Sequence, residues 1–324
     1  MKNNLKFNAF NKQASADAYN EFQAREKKLA EAIPEYKERE AAMRQHLTTS
    51  DKVRWLAHRD ICTLHESGLE KNSPFFSQSY SDWRRNRVRK LLQIVGEKWL
   101  KNKSILELGC ALGHTGYYLR YNFGADVTFA EARSHYIDYI KETIKKNQPE
   151  DNINDENFLV LDQDTDWTIY KNGGSSLRKY DLILNWGVNY HLANWKRDIE
   201  RTLAHSDKVC IETHVLDSED LGAVAYRHEY GCDKGTHGIE SVPSYSAVEK
   251  VFKDNNFSYE RYDDSDLDGA GNHYSWVNEN DSSAFIKVID SKTKETHYFL
   301  KRRYWFAQRK KSIFCKAFEL LKKP

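Results

Sequence analysis

The sequence predicts an α/β protein whose main domain is a doubly wound, mostly parallel sheet with helices on both faces. Short apolar runs of strand length alternate with helix-like segments along residues 104–213, and strands that alternate with helices join into a parallel sheet through right-handed crossovers. Each apolar run also ends near polar side chains or glycine. Because the carboxyl ends of parallel strands open onto a crevice, these residues are expected to surround a ligand.

The composition narrows the class of protein. The chain has 324 residues, 40% of them hydrophobic and 30% charged, with a net charge of +2, which fits a globular protein with one large domain or two domains. The small net charge disfavours nucleic-acid binding by electrostatics alone. Five cysteines without a C-x-x-C pair argue against a zinc cluster and suit the cytoplasm. The sequence shows no signal peptide and no apolar run of membrane-spanning length.

Both ends of the chain are expected to differ from the main domain. Residues 1–78 are rich in good helix formers and predict a helical extension. Because its apolar positions are sparse, the sequence does not decide whether this extension is a solvated helix or a partner-binding coiled coil. Residues 307–324 predict a basic amphipathic tail, which suits peripheral contact with an anionic membrane, contact with RNA, or simple packing by one face.

The first strand and the turn after it carry the clearest local signal. Residues 104–108 fit one buried strand, and Gly109, Ala111 and Gly113 follow before a helix-like run. A glycine-rich turn between a strand and a helix lets the backbone approach a ligand and directs helix N–H groups toward it. The turn alone leaves a general dinucleotide-binding site open.

The next predicted strand, residues 125–130, ends at Glu131. An acid at the tip of the second strand, about 20 residues beyond the turn, can accept both hydroxyls of a nucleoside ribose. The alternative is a surface glutamate at a strand end. Three further strands, 157–161, 180–185 and 208–213, also end in polar or aromatic side chains. These are Asp162, Asp164, Asn185, Trp186, Tyr190, His191, Glu212 and His214.

The run E-x-G-x-A-x-G that begins at Glu107 resembles motif I of the class I S-adenosylmethionine-dependent methyltransferases. The run G-x-x-Y-H-x-x-N at residues 187–194 looks like the segment after the fourth strand in a subgroup that includes small-molecule, sugar and tRNA-modifying enzymes. The resemblance covers residues 79–306 and implies a Rossmann-like sheet of seven strands, mostly parallel with an antiparallel last strand. Residues 257–262 and 296–306 suit the final pair.

S-adenosylmethionine is the cofactor that this resemblance implies. The residues expected around it are Glu107, Gly109, Ala111, Gly113, Glu131, Asp162, Asp164 and Asn185. Either Asp162 or Asp164 would meet the adenine amino group, and the sequence does not decide between them. Ala111 departs from the glycine that is commonest in motif I, which is expected to alter the fit near the cofactor.

The acceptor side is expected to lie beneath two polar loops, residues 217–242 and 263–281. The side chains proposed to bind substrate are Tyr80, Trp83, Trp186, Tyr190, His228 and Tyr274. Removal of a hydroxyl proton calls for a base that titrates near neutral pH, which favours His191. Glu212, His214 and His273 are the alternative candidates for this base. No metal is predicted, because the histidine and cysteine spacing in the first loop matches no compact zinc pattern.

The leading hypothesis is O-methylation of a small polar acceptor, with a sugar or glycan first. Methylation of tRNA is an alternative supported by the basic helix at residues 83–90 and the basic tail, although no known RNA-binding module is visible. A third hypothesis is a scaffold protein that binds the cofactor but catalyses no reaction. An NAD-dependent dehydrogenase is disfavoured because Ala111 occupies the middle of the turn and the strand itself carries Glu107. The sequence fixes neither the acceptor nor the oligomeric state.

Overall fold

The computed structural model describes residues 78–151, 153–165, 167–171, 175–228, 235–236, 239–268, 274, 285–288 and 296–310. The predicted helical extension before Gln78 and the tail beyond Lys310 lie outside these ranges. Within them, no helix is both long enough and apolar enough to cross a membrane.

Helices and strands alternate in the order that the sequence predicts. The helices are α1 Gln78–Val95, α2 Glu97–Leu100, α3 His114–Phe123, α4 Ser134–Asn147, α5 Trp195–His205 and α6 Tyr245–Asp254. The strands are β1 Ser104–Leu108, β2 Asp126–Glu131, β3 Phe158–Val160, β4 Leu182–Trp186, β5 Lys208–Leu216, β6 Val224–His228, β7 Ile239–Pro243, β8 Phe257–Tyr262, β9 Phe285–Val288 and β10 Thr296–Arg309.

The main sheet has seven strands in the order β3-β2-β1-β4-β5-β10-β8. The first five strands pair in parallel, whereas β10 runs antiparallel to both β5 and β8. This arrangement confirms the predicted Rossmann-like sheet with an antiparallel last strand. The start of β10 also pairs with β9, an eighth strand that the sequence did not indicate.

Helices cover both faces of the sheet, so β1 and β4 are buried on both sides. One apolar cluster packs α1, α3 and α4 on one face, through residues such as Val88, Leu119 and Ile140. The other packs α5 and α6 on the opposite face, through residues such as Ile199 and Phe252. The carboxyl ends of β1, β2 and β4 are thereby left open at one edge.

Residues 217–242 differ from the predicted irregular loop. They contain β6 and β7, which form a separate two-stranded antiparallel sheet. This small sheet is linked to the end of β5 by a bridge between Leu216 and Ser244. The prediction failed because each strand has only five residues and the rest of the segment is mainly polar, so the apolar pattern is too short to indicate a strand.

Candidate active site

The carboxyl edge of the parallel strands encloses a pocket. Its empty space, including the open mouth, is about 960 Å³. The residues that line its two ends come from different elements. One end contains Glu107, Gly109, Ala111, Glu131 and Asp162, and the other contains Trp83, Arg84, Arg87, Trp186, Tyr190 and His191. We call these the cofactor end and the acceptor end.

The turn after β1 requires small residues in left-handed conformations. Gly109 has φ +59°, and a Cβ there would lie 2.5 Å from the side chain of Val188. Gly113 has φ +68°, and a Cβ there would lie 2.8 Å from Ile140 of α4. Gly113 does not line the pocket and instead lets α3 begin close to α4. Ala111 also has a positive φ, +48°, which is unfavourable for a residue with a Cβ. A glycine at this position would adopt the same φ without that strain.

Glu107 is buried beneath the turn, and its Oε2 accepts a hydrogen bond from the backbone N–H of Gly116 at 2.9 Å. This places the carboxylate at the N-terminus of α3, where the helix dipole favours negative charge. Burial nevertheless raises the pKa of Glu107 to about 7, against the lowering effects of the Gly116 N–H, Arg87 and Arg84. Glu107 therefore titrates near neutral pH.

Glu131 ends β2 and faces the same part of the pocket. Its Oε2 accepts from the backbone N–H of Ala111 at 3.0 Å, and its Oε1 accepts from the N–H of Arg133 at 3.3 Å. The Arg133 Nε lies 3.7 Å from Oε1. The carboxylate therefore connects β2 to the turn after β1.

The two aspartates after β3 occupy different surroundings. Asp162 lines the pocket and accepts a hydrogen bond from the Thr236 hydroxyl at 3.4 Å. Asp164 turns away from the pocket, and its carboxylate accepts from the backbone N–H groups of Ala193 and Asn194 at 3.1 and 2.7 Å. Of these two, Asp162 is the residue placed to meet a ligand.

Asn185 does not line the pocket, contrary to the expectation that it lies around the cofactor. Because side chains alternate along a strand, Asn185 points to the α5 side of the sheet, where its Nδ2 donates to Asp198 Oδ2 at 2.7 Å. Asp198 also accepts from Gln163, Trp167 and Asn189. Burial raises the pKa of Asp198, although all four hydrogen bonds oppose that change.

Asp198 fixes the segment that carries the acceptor end. Asn189 begins the short 3₁₀ turn Asn189–His191, and its amide donates both to Asp198 at 3.1 Å and to the Trp195 carbonyl at 2.9 Å. The next two residues, Tyr190 and His191, line the pocket with ring centroids 4.0 Å apart. A buried hydrogen-bond network thus sets where these two rings lie.

Two of the other residues proposed as bases, His214 and Glu212, do not line the pocket. The ring of His214 stacks behind Tyr190, with centroids 4.1 Å apart. Glu212 is fully buried, and its two oxygens bind Arg302 at 2.7 Å and Arg87 at 3.0 Å. The structure therefore makes Glu212 a counter-ion for two arginines, which corrects its expected place beside the reacting group.

Trp83 lines the acceptor end, and its Nε1 donates to the hydroxyl of Tyr274 at 2.8 Å. Tyr274 was expected to bind substrate, but it is fully buried and does not line the pocket. Its hydroxyl instead supports Trp83. Tyr80 lies in α1 and His228 in β6, but their side chains are outside the described residues, as is all of His273.

The connection between β6 and β7 contributes Gly235 and Thr236 to the pocket lining. Gly235 is buried against the main chain of His191, and a Cβ there would overlap the His191 carbonyl oxygen. This segment therefore covers the acceptor end, where the sequence predicted a covering loop. Most side chains considered for a metal in this loop lie outside the described residues, and the described ranges contain no group of three His, Cys, Asp or Glu that could hold a metal.

Several pocket residues had not been singled out from the sequence. Arg87 lies one helical turn after Trp83, and that spacing could have placed it on the same face of α1. His114 begins α3, and burial together with Arg84 lowers its pKa to about 4. Cys110 follows Gly109, and burial raises the pKa of its thiol well above the usual range. His114 and Cys110 are therefore both uncharged at neutral pH.

Comparison with known proteins places this site in context. The family model described as a methyltransferase domain matches residues 80–262. No curated protein matches the chain in sequence.

Solved structures with a similar fold share little sequence with the chain. The N-terminal domain of EvdMO1, crystallised with SAH and D-fucose, is 14% identical over 73% of this chain and 84% of that chain, with a TM-score of 0.48. Burkholderia thailandensis 1,6-didemethyltoxoflavin-N1-methyltransferase is 11% identical over 78% and 88%, with a TM-score of 0.43. Magnesium protoporphyrin IX methyltransferase from Synechocystis PCC 6803 is 13% identical over 73% and 93%, with a TM-score of 0.40.

Proposed function

This chain belongs to the methyltransferase-domain family and is an S-adenosylmethionine-dependent methyltransferase, and from that premise we propose that it methylates a hydroxyl of a small polar acceptor. A sugar or glycan is the leading class of acceptor. The observation that carries the proposal is that a histidine and three aromatic rings meet at the acceptor end of the pocket. These residues are His191, Tyr190, Trp83 and Trp186.

The cofactor end has the features that S-adenosylmethionine requires. The backbone of Gly109 and Ala111 lines the pocket with little side-chain bulk, and Glu131 and Asp162 supply carboxylates that can accept hydrogen bonds from hydroxyl and amino groups. These residues fit a nucleoside that also carries positive charge. When bound, the cofactor supplies an activated methyl group on a cationic sulfonium.

The protein's part in the reaction is to orient the acceptor and to take up its proton. His191 lines the acceptor end and is the proposed general base for a hydroxyl. Tyr190 packs against its ring and restricts its position. Trp83 and Trp186 offer flat apolar surfaces that suit the faces of a sugar ring, and the cover formed by Gly235 and Thr236 limits access of water.

Transfer of tritiated methyl from S-adenosylmethionine to a panel of sugars and glycans tests this function, with tRNA assayed in parallel. We expect label in the sugar fraction and, by NMR, on oxygen. His191→Gln, which keeps a polar side chain but lacks the base, should abolish most transfer. Label in tRNA alone, or on a nitrogen or carbon atom, would contradict the proposed acceptor class.

We also propose a cytoplasmic location and a small-molecule or glycan partner. Cys110 and Cys210 are buried and not in disulfides, which suits a reducing compartment.

A further inference from the structure

The two ends of the pocket differ in the acidic side chains that line them. The acids Glu107, Glu131 and Asp162 line the cofactor end. At the acceptor end, α1 contributes the guanidinium groups of Arg84 and Arg87 to the lining. The cofactor end also has Arg133 beside Glu131, whereas the described residues that line the acceptor end include guanidinium groups and no carboxylate.

Arg87 belongs to a buried cluster with more positive than negative charge. Glu212 lies between Arg87 and Arg302 and binds both guanidinium groups through Nη1, at 3.0 and 2.7 Å. The side chains of the two arginines are only 7% and 5% exposed, and that of Glu212 is 0% exposed. In this cluster one carboxylate therefore pairs with two buried cations, and the other acid that interacts with Arg87 is Glu107, where Arg87 opposes the rise in pKa caused by burial.

The two arginines also contact the side chains of Tyr190, His214 and Trp83. The Nη2 of Arg302 donates to the Tyr190 hydroxyl at 3.1 Å and lies 2.8 Å from His214 Nε2. The Cζ of Arg87 lies 3.9 Å from the centroid of the Trp83 ring, a cation–π contact. These contacts do not supply a second negative charge.

Donors of both guanidinium groups also remain unused. The Nε atoms of Arg87 and Arg302 are buried without a hydrogen-bond partner among the described residues. A buried charge is costly unless it is paired and hydrogen-bonded. Because Arg87 also lines the pocket, an anionic group bound there would contribute the missing counter-charge.

We infer that the methyl acceptor carries an anionic group, a carboxylate or a phosphate, which binds the Arg87 side of the pocket. This inference rests on the proposed function and narrows its acceptor class to acidic sugars. The guanidinium of Arg87, whose Nη1 already binds Glu212, has further donors for either anion. Arg302 acts indirectly, through its contact with Tyr190 and through Glu212, which it shares with Arg87.

The first test measures thermal stability of the protein saturated with S-adenosylhomocysteine, with inorganic phosphate or chloride at equal ionic strength. We expect phosphate to raise Tm relative to chloride, because a ligand that binds only the folded state stabilises it. Arg87→Gln should lose this rise. Arg133→Gln removes the same charge at the cofactor end and is the matched control, which should keep the rise.

The second test uses the unmodified protein, so its result does not depend on whether a variant folds. Glucuronate and glucose 6-phosphate are compared with glucose as acceptors or as competitors of transfer. We expect at least one acidic sugar to act at a concentration about tenfold lower than glucose, the size of effect that one charge-assisted hydrogen bond supplies. The two acids distinguish a carboxylate from a phosphate.

The outcomes separate this inference from the proposed function. If glucose receives the methyl group as well as both acidic sugars do, the inference is overturned and the function stands. If phosphate stabilises the protein only without S-adenosylhomocysteine, the arginines serve the cofactor's own carboxylate and the inference is wrong. If no sugar is methylated but phosphate stabilises the saturated protein through Arg87, the anion site is supported and the proposed acceptor class fails.

Discussion

The two ends of the pocket are built in different ways. The cofactor end comes largely from one continuous stretch, since the β1 turn and the acid that ends β2 lie within residues 107–131. The acceptor end brings together α1, the segment after β4, β5 and β10. Glu212 alone binds residues 125 positions earlier and 90 positions later in the chain. A ligand site made by one supersecondary unit is visible in sequence, whereas one made by distant elements is not.

The two ends are nevertheless in direct contact. Gly109 of the cofactor turn packs against Val188, which directly precedes the 3₁₀ turn that carries Tyr190 and His191. Asp198 holds the other side of that 3₁₀ turn through Asn189. Substitutions at the two ends and at these contacts show how far cofactor binding and acceptor chemistry can be separated.

The largest effect on stability is expected at Asp198. Asp198→Ala leaves the buried donors of Asn185, Asn189, Gln163 and Trp167 without their shared acceptor, which we expect to lower the free energy of unfolding by about 4 kcal/mol. Urea unfolding measures this loss. Asp198→Asn keeps one acceptor oxygen and should lose less, and an alanine variant within about 1 kcal/mol of the wild type would show that the network does not hold this segment.

The largest effect on catalysis is expected at His191. His191→Ala removes the proposed base and should lower kcat by about 100-fold, while the Kd for S-adenosylhomocysteine stays within about threefold, a difference under 1 kcal/mol. Single-turnover methyl transfer and calorimetry measure the two quantities. His214→Ala, which changes a ring behind Tyr190, is the matched control and should retain more transfer. Equal losses in the two variants would remove His191 from its proposed role.

Gly109→Ala tests the contact between the ends. The new Cβ would both strain a backbone with φ +59° and overlap Val188, which should cost about 2 kcal/mol of unfolding free energy. Adding Val188→Gly removes the overlap but not the strain, so Gly109→Ala should cost less stability in the Val188→Gly background than in the wild type. A double-mutant cycle measures this coupling. Strict additivity would mean that the two segments do not constrain each other.

The smallest expected effect concerns the pH dependence of stability at Glu107. Its pKa is raised by burial from 4.5 to about 7 in the folded protein. The folded state therefore holds this proton more tightly than the unfolded chain, and the contribution of Glu107 to stability decreases as pH rises from about 4.5 to above 7.

Between about pH 6 and about pH 8, the wild type should lose about 1 kcal/mol of unfolding free energy relative to Glu107→Gln. Comparing the two proteins at each pH cancels groups that titrate identically in both, and denaturant melts provide the measurement. A difference that is constant with pH would mean that Glu107 titrates at its ordinary value.

Much of the sheet could be predicted because its strands are short apolar runs. The predicted strand 104–108 has the bounds found in β1. The predictions failed where an element lacks such a pattern. The strands β6 and β7 have five residues each and β9 has four, and runs this short are weak signals of a strand.

The side chains of the site were predicted less evenly than the strands. Glu131 and Asp162 line the pocket where strands end, as that position implies. Asn185 also lies at a strand end but faces α5, because the direction of a side chain depends on strand register, which the sequence leaves open. Arg87 and Arg302 appear in the sequence as ordinary basic residues, and only their shared partner Glu212 identifies them as buried.

Calorimetric titration with S-adenosylmethionine, S-adenosylhomocysteine and NAD most directly tests the central claim, that the cofactor end alone recognises the methyl donor. We predict that the wild type and His191→Ala bind the first two ligands with similar affinity. Glu131→Ala should lose about 100-fold in affinity, since Glu131 is proposed to hydrogen-bond the ribose, and NAD should not bind. Binding of NAD alone, or an equal loss of affinity in both variants, would contradict the account.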